Sequence, residues 1–283
     1  MLPLFTRSIK FLVGAAFIFV LLLALVGTVT TLIKEPTPPS AEEEFHKHAK
    51  ELDLPSNGPL GKFDLAQLQR GFLVYEKVCA SCHSLNLVSF RNLQDLGYSE
   101  PEVKKIAKDW PMKQPVQDPK AGTWGERDNL ASDRFPKVYY PGTGSPPDLS
   151  LITKARHDGA AYVYSLLTGY ADQTGYKNAK GEELLKKFPT AKTPEGSHFN
   201  PYFANLNIAM PPPLTSENQV TYSDGTRATV DQMAKDVSAF LVWTAEPTMQ
   251  TRHRAGVAVV LFLLFATGLA YGAYLTVWRG VKH

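Results

Sequence analysis

The chain has 283 residues, enough for one or two domains, with 30 basic and 27 acidic side chains. Residues 1–34 carry three cations (Arg7, Lys10, Lys34) and no acid, and residues 251–283 carry four (Arg252, Arg254, Arg279, Lys282) and no acid. Those seven terminal cations leave 23 basic and 27 acidic residues between the ends, a net of −4, and so nothing that suggests nucleic acid.

Phe11–Ile33 is a run of 23 uncharged residues behind Arg7 and Lys10. A signal peptide and a retained membrane anchor both fit. The run exceeds the usual apolar core of a signal, about 7–15 residues, and no A-x-A-like cleavage site follows closely, which favours the anchor. Both readings export the body, because Arg7 and Lys10 stay on the cytoplasmic side. Residues 35–56 open with EPTPPSAEEE and read as an exposed linker.

A helix is expected from Asp64 as N-cap, with Leu65, Leu68, Phe72 and Tyr75 on one stripe. Gly71 within it costs helix stability and calls for a close crossing with another helix, for which the segment around Phe240 is the natural partner. The helix leads into Cys79-Ala80-Ser81-Cys82-His83, which holds both cysteines of the chain. C-x-x-C-H is the attachment signature of a c-type haem. Positions i, i+3 and i+4 of a helix share a face, so two thiols and one imidazole can serve one porphyrin. A structural zinc site wants four N/S ligands; His46, His48, His157 and His198 do not stand at zinc-like spacing from these cysteines. A dithiol redox site leaves His83 unexplained.

Residues 110–148 are rich in proline and glycine and read as loop wrapped on a core. Asp158–Thr168 reads as a short helix with Tyr162, Val163 and Leu166 inward. Residues 171–193 are polar and read as a surface insertion. Thr229–Ala245 is an amphipathic helix, with Val230, Met233, Val237, Phe240 and Leu241 at helical spacing and Pro247 beyond its end. Ala255–Trp278 is 24 residues without a charge. At about 1.5 Å per residue it exceeds the roughly 30 Å hydrocarbon core of a bilayer. Tyr271, Tyr274 and Trp278 supply interfacial aromatics, and Arg279 and Lys282 return to the cytoplasmic side. Arg252 and Arg254, at the outer end of that helix, run against this orientation.

His83 covers one face of an iron; the other needs methionine, histidine or an open position. Of five methionines, Met1 is terminal, Met249 lies at the membrane edge and Met233 sits on an apolar helix stripe. Met112 and Met210 remain. Met210 precedes three prolines, which stiffen its loop and favour it.

Several blocks, in order, resemble the cytochrome c1 family: RGFLVYEKVCASCHSL at 70–85, PPDLSLITKARH at 146–157, YVYSLLTGY at 162–170, FNPYF at 199–203, IAMPPPL at 208–214 and ATVDQMAKDVSAFLVWTAEP at 228–247. The resemblance implies one covalently attached haem c, with Cys79 and Cys82 as thioether attachments, His83 as proximal and Met210 as distal ligand. It also implies that Arg156 pairs with a haem propionate and that Pro146 and Pro147 line the haem pocket. The segment before PPDLS is a short YYPGTGSPP where the family carries an asparagine-rich stretch, and the 171–193 insertion is longer than in mitochondrial members. The fold expected is mainly α: a class I cytochrome c-like haem domain with long loops (63–250), preceded by a membrane segment (1–34) and linker (35–62), and followed by a transmembrane anchor (251–283).

The function implied is electron transfer by the haem c subunit of ubiquinol–cytochrome c oxidoreductase, with cytochrome b, the Rieske iron–sulfur protein, cytochrome c and membrane lipid as partners. The chain would serve as a redox subunit without catalytic acid–base or nucleophilic groups, and quinol oxidation would belong to cytochrome b. The location implied is a bacterial inner membrane with the haem domain in the periplasm. Two other readings are a freestanding membrane-anchored cytochrome c serving an oxidase, and a haem sensor with an exchangeable sixth site.

Overall fold

The computed structural model describes residues 2–34, 38–118, 122–142 and 144–281. Glu35, the first residue of the expected linker, and Lys282, the last terminal cation, lie outside them. The chain divides into two compact units, Met1–Glu44 and Phe45–His283.

The first unit is dominated by helix α1 (Leu2–Lys34), whose stretch Ile9–Lys34 is apolar and long enough to cross a bilayer. Its threonines do not break that character. Thr28, Thr30 and Thr31 donate their hydroxyls to the carbonyls of Ala24, Val26 and Gly27, at 2.9, 2.8 and 3.0 Å. A five-residue helix, α2 (Ala41–Phe45), follows.

In the second unit, α3 (Leu65–Val74) starts where Asp64 Oδ1 accepts the backbone N–H groups of Ala66 and Gln67. A π-helical turn, Tyr75–Cys79, continues it into the cysteine motif. A 3₁₀ segment (Phe90–Leu96) and α4 (Glu100–Asp109) come next; α4 opens on a capping box in which the Ser99 N–H donates to Glu102 at 2.7 Å. Strands β1 (Gln114–Gln117) and β2 (Trp124–Arg127) form an exposed antiparallel hairpin with Gln114 opposite Arg127. The remaining elements are α5 (Ile152–Ala155), α6 (Gly159–Leu167), α7 (Leu184–Lys187), a 3₁₀ turn (Pro189–Ala191), β3 (His198–Phe199), β4 (Asn207–Ile208), α8 (Val230–Ala245) and α9 (Met249–Val277).

The core forms where α3 crosses α8. A Cβ on Gly71 would stand 2.1 Å from the Asp236 carbonyl oxygen, so the two backbones touch there and only glycine fits. Around the crossing, Phe240 lies 5.7 Å from both Phe72 and Tyr75, ring centre to ring centre, and Trp110 and Phe135 pack edge to face at 4.9 Å. Beside it Arg70 ties the helices by charge. Its Nε donates to the buried Asp236 at 3.0 Å and its Nη1 to Asp224 at 2.7 Å, while Gln232 Nε2 donates to Asp236 at 2.9 Å.

Three expectations need correction. Residues 45–56 do not hang free as linker: Phe45 and Leu54 are buried, the Lys50 N–H donates to Ser165 Oγ at 2.7 Å and Lys50 Nζ to Thr168 Oγ1 at 2.7 Å. The 171–193 segment is no bare surface loop; Leu184 is fully buried, and Tyr176 and Phe188 pack on Phe45, with Tyr176 also on Phe199. Within 110–148 the chain forms the β1–β2 hairpin and sends Trp110 and Phe135 into the core. On α6 the buried face is Val163, Tyr164 and Ser165, with Tyr162 and Leu166 half-buried. Tyr164 turns inward because its hydroxyl meets Asp231 on α8.

Three residues, 246–248, separate α8 from α9. The exposed face of α9 is apolar from Val257 onward, and at its far end Tyr271 stacks on Tyr274, which meets Trp278 at a tilt. By length and composition α9, like α1, can span a membrane.

Candidate functional site

The cysteine motif is built by a change of helical pitch. The Ala80 N–H donates to Tyr75 O at 2.8 Å, an i→i+5 bond, and the chain then tightens: the N–H groups of Cys82 and His83 both donate to Cys79 O, at 3.1 and 2.9 Å. Tyr75, buried under the turn, donates its hydroxyl to His83 O at 2.9 Å. Cys79 and Cys82 form no disulfide. Burial, reinforced by the neighbouring Cys82, pushes the Cys79 thiol up to about 12. Among the described residues no group of three or more His, Cys, Asp or Glu side chains gathers to hold a metal, so the zinc alternative finds no ligand set.

His83 is oriented from behind. Its Nδ1 lies 2.8 Å from the carbonyl oxygen of Pro147. A carbonyl only accepts, so Nδ1 carries the hydrogen and Nε2 keeps the lone pair that a metal takes. Burial lowers the His83 pKa, opposed by the Pro147 bond and the nearby Asp148 charge, and the neutral ring is the ligating form. The Pro147 carbonyl is fixed in turn by Asp148. One carboxylate oxygen of Asp148 accepts the Asn86 N–H at 2.7 Å and the other the Ser150 N–H at 2.9 Å. Ser150 Oγ accepts the Leu87 N–H at 3.1 Å, Ser84 O accepts the Leu149 N–H at 2.9 Å, and Ser84 Oγ accepts the Val138 N–H at 2.8 Å. The segment after the motif and the segment 147–150 are thus stitched together. Asp148, Ser150 and Ser84 are missing from the sequence reading, although Asp-x-Ser after two prolines is a recognisable local capping pattern.

Met210 follows β4. The two-residue ladder pairs His198 with Ile208 and Phe199 with Asn207. The connecting loop is pinned by the buried Asn200, which donates Nδ2–H to Leu166 O at 2.8 Å and accepts the Tyr202 N–H at 3.1 Å. Met210 itself is half-buried, and Tyr170 donates its hydroxyl to the Met210 carbonyl at 3.0 Å. Burial raises the pKa of Tyr170, with Tyr162 the next cause. Burial also raises Tyr162, against a downward pull from the Arg156 guanidinium. Arg156 is exposed. The competing methionines are otherwise engaged: Met233 and Met249 are buried, and Met112 packs against the core. Pro146 is half-buried and Pro147 exposed.

Residues 54–281 match the model of the Cytochrome C1 family. The chain belongs to the cytochrome c1 family. It is 39% identical over 236 residues to cytochrome c1 of Rhodospirillum rubrum, covering 80% of this chain and 86% of that one. It is 41% identical over 254 residues to a mitochondrial cytochrome c1 heme protein of Arabidopsis thaliana, covering 86% and 77%. Against the cytochrome b/c1 of Bradyrhizobium diazoefficiens it is 44% identical over 237 residues, 78% of this chain, and spans about a third (34%) of that longer relative. Membership makes the cofactor a haem c and the role electron transfer in a cytochrome bc1 complex. The residues present fit that group. Two cysteines outside any disulfide and an imidazole follow one helix, the imidazole keeps Nε2 available, and a thioether stands on a loop whose backbone is tied down.

Proposed function

We propose that this chain carries electrons from a Rieske iron–sulfur protein to a cytochrome c, as the haem c subunit of a membrane-bound ubiquinol–cytochrome c oxidoreductase. The observation that carries the reading is the His83 Nδ1 bond to Pro147, which sets a neutral, Nε2-ligating imidazole directly behind two cysteines. Cys79 and Cys82 would hold the porphyrin by thioethers, and His83 and Met210 would ligate its iron. Arg156 would offer its guanidinium to a propionate, and Pro146 and Pro147 would line the ring. A bound haem c supplies a one-electron iron couple, and thioether ligation raises its potential. The protein's own part is to hold both ligands still. Tyr170 holds the Met210 backbone, and Asp148 holds the loop that receives His83.

We take residues 63–250 as the haem domain, joined by the packed segment 45–62, with α9 as its anchor. Under this reading α1 is a second, retained anchor, the chain lies in a bacterial inner membrane and the haem domain faces the periplasm. Arg7, Lys10, Arg279 and Lys282 then share the cytoplasmic side, as the distribution of basic residues favours. The short 246–248 connection supports a fixed subunit over a tethered shuttle, because it gives the body no length on which to diffuse. A relative named cytochrome b/c1 supports cytochrome b as neighbour. The net −4 of the central residues suits a basic redox partner.

The test is co-purification. Solubilised in mild detergent and captured through this chain, the complex should carry a b-type haem spectrum and a Rieske electron paramagnetic resonance signal. A chain that purifies alone from intact membranes, with full haem c and neither signal, would overturn the assignment.

A further inference from the structure

Where the body meets the first turns of α9 there is a cavity of about 500 Å³, lined by Leu60, Lys62, Gln250, His253, Arg254 and Val257 among others. None of its lining residues is acidic. Among the described residues neither Lys62 nor Arg254 makes an ion pair, whereas the adjacent Arg252 is paired with Glu246. His253 Nε2 lies 3.3 Å from Arg252 Nη2 and must accept, because a guanidinium only donates. Its Nδ1 therefore carries a hydrogen, and that atom is buried with no acceptor in the protein. The other side of the cavity is apolar. Leu60 is 72% exposed, and Val257 begins the exposed apolar face of α9. Arg254 is the last charge before the 24 uncharged residues.

Two cations without an ion-pair partner among the described residues thus stand at the level where a membrane-spanning helix leaves the hydrocarbon, next to uncovered apolar surface. That combination matches a molecule with an anionic head and an acyl chain. A free anion has no use for Leu60 and Val257, and a zwitterionic lipid brings a cation that two unpaired basic side chains would repel. We propose that this cavity is a binding site for one anionic phospholipid, with its phosphodiester between Lys62 and Arg254 and an acyl chain along Leu60 and Val257. The site also accounts for basic residues at the end of α9 opposite Arg279, since a resident anionic lipid neutralises them.

The experiment uses the full chain in its native complex, exchanged into nanodiscs containing trace photoactivatable phosphatidylglycerol or phosphatidylcholine, with labelled peptides mapped by mass spectrometry. Phosphatidylglycerol should label the segments around residues 60–62 and 250–257 in preference to phosphatidylcholine. Lys62→Gln with Arg254→Gln should weaken that labelling roughly thirty-fold, which is about 2 kcal/mol for two interfacial cations. Arg279→Gln should leave it unchanged, and millimolar inorganic phosphate should not compete. Equal labelling by both lipids, undiminished labelling in the double variant, or displacement by inorganic phosphate would overturn the proposal. So would a photocrosslinker placed at residue 62 that captures a neighbouring polypeptide instead of lipid. Lys62→Gln alone, on an exposed side chain, should give an intermediate loss and guards against a folding artefact.

Discussion

The Cβ that Gly71 lacks would fall 2.1 Å from the carbonyl oxygen of Asp236 and 2.7 Å from Phe240 Cβ, so α3 and α8 cross in backbone contact. Neither neighbour can yield: one is backbone inside a helix, and the other is the root of a side chain at the core's centre. Gly71→Ala must push the helices apart. We expect a loss of about 3 kcal/mol, the upper part of the usual overpacking range, and a melting temperature lower by roughly 6–12 °C. Thermal melts of the holoprotein followed by far-ultraviolet circular dichroism check this. An unshifted melt would mean that the crossing is looser than the structure has it.

The Arg70–Asp236 pair makes a sharper case, because Asp236 is fully buried. Arg70→Leu strands that carboxylate, which typically costs about 3–5 kcal/mol. Removing both charges, with Arg70→Leu and Asp236→Leu together, should cost less than Arg70→Leu alone. Chemical denaturation midpoints of the two variants decide it, and a double variant weaker than the single would contradict a desolvation origin.

These two relationships differ in how far the chain announced them. A glycine inside an amphipathic helix asks for a close partner, and the partner stripe around Phe240 is periodic, so the crossing was legible. The C-x-x-C-H spacing made the haem c cofactor legible for the same reason: local chemistry restricts it. Helix α4 was not read, although Ser99 and Glu102 form a capping box ahead of Val103 and Ala107. The docking of 45–56 could not be read, because Phe45, Leu52 and Leu54 have no period and gain their burial from distant segments. The Tyr170–Met210 bond joins positions 40 residues apart, and no local pattern encodes such a pairing.

Glu246, in the short connection between α8 and α9, should contribute to acid sensitivity. Its pKa is lowered, first by Arg252, whose pull burial opposes, and then by Lys154 at 3.1 Å. A carboxylate depressed in the folded state contributes its full stability above its unfolded pKa, near 4.3, and loses it as pH falls through the folded value. Glu246→Gln should therefore flatten the decline of stability below about pH 5 and lower stability at neutral pH by less than about 1 kcal/mol, as partly exposed pairs do. Melting temperatures of the two proteins across that pH range should converge toward acid. Curves that stay parallel would count against the charge as the cause.

The distal side of the iron offers the most direct test of the site. Met210→Leu keeps both cysteines and His83, so the haem should stay covalently attached. With Met210 as the distal ligand proposed above, its thioether would stabilise the ferrous state, and its loss should lower the reduction potential by a large part of the roughly 0.8 V over which axial ligands can move it. The opened position should also let the reduced protein bind carbon monoxide. Tyr170→Phe removes only the hydroxyl that holds the Met210 carbonyl, a bond worth about 1 kcal/mol. Its potential should move the same way by a small fraction of that drop, with slower and partial carbon monoxide binding. Met112 packs against the core, so Met112→Leu should change neither property. Redox titration and carbon monoxide difference spectra of the three variants separate the roles. If Met112→Leu opened the iron while Met210→Leu did not, the ligand assignment would move to Met112, and the Tyr170 bond would be left as loop structure alone.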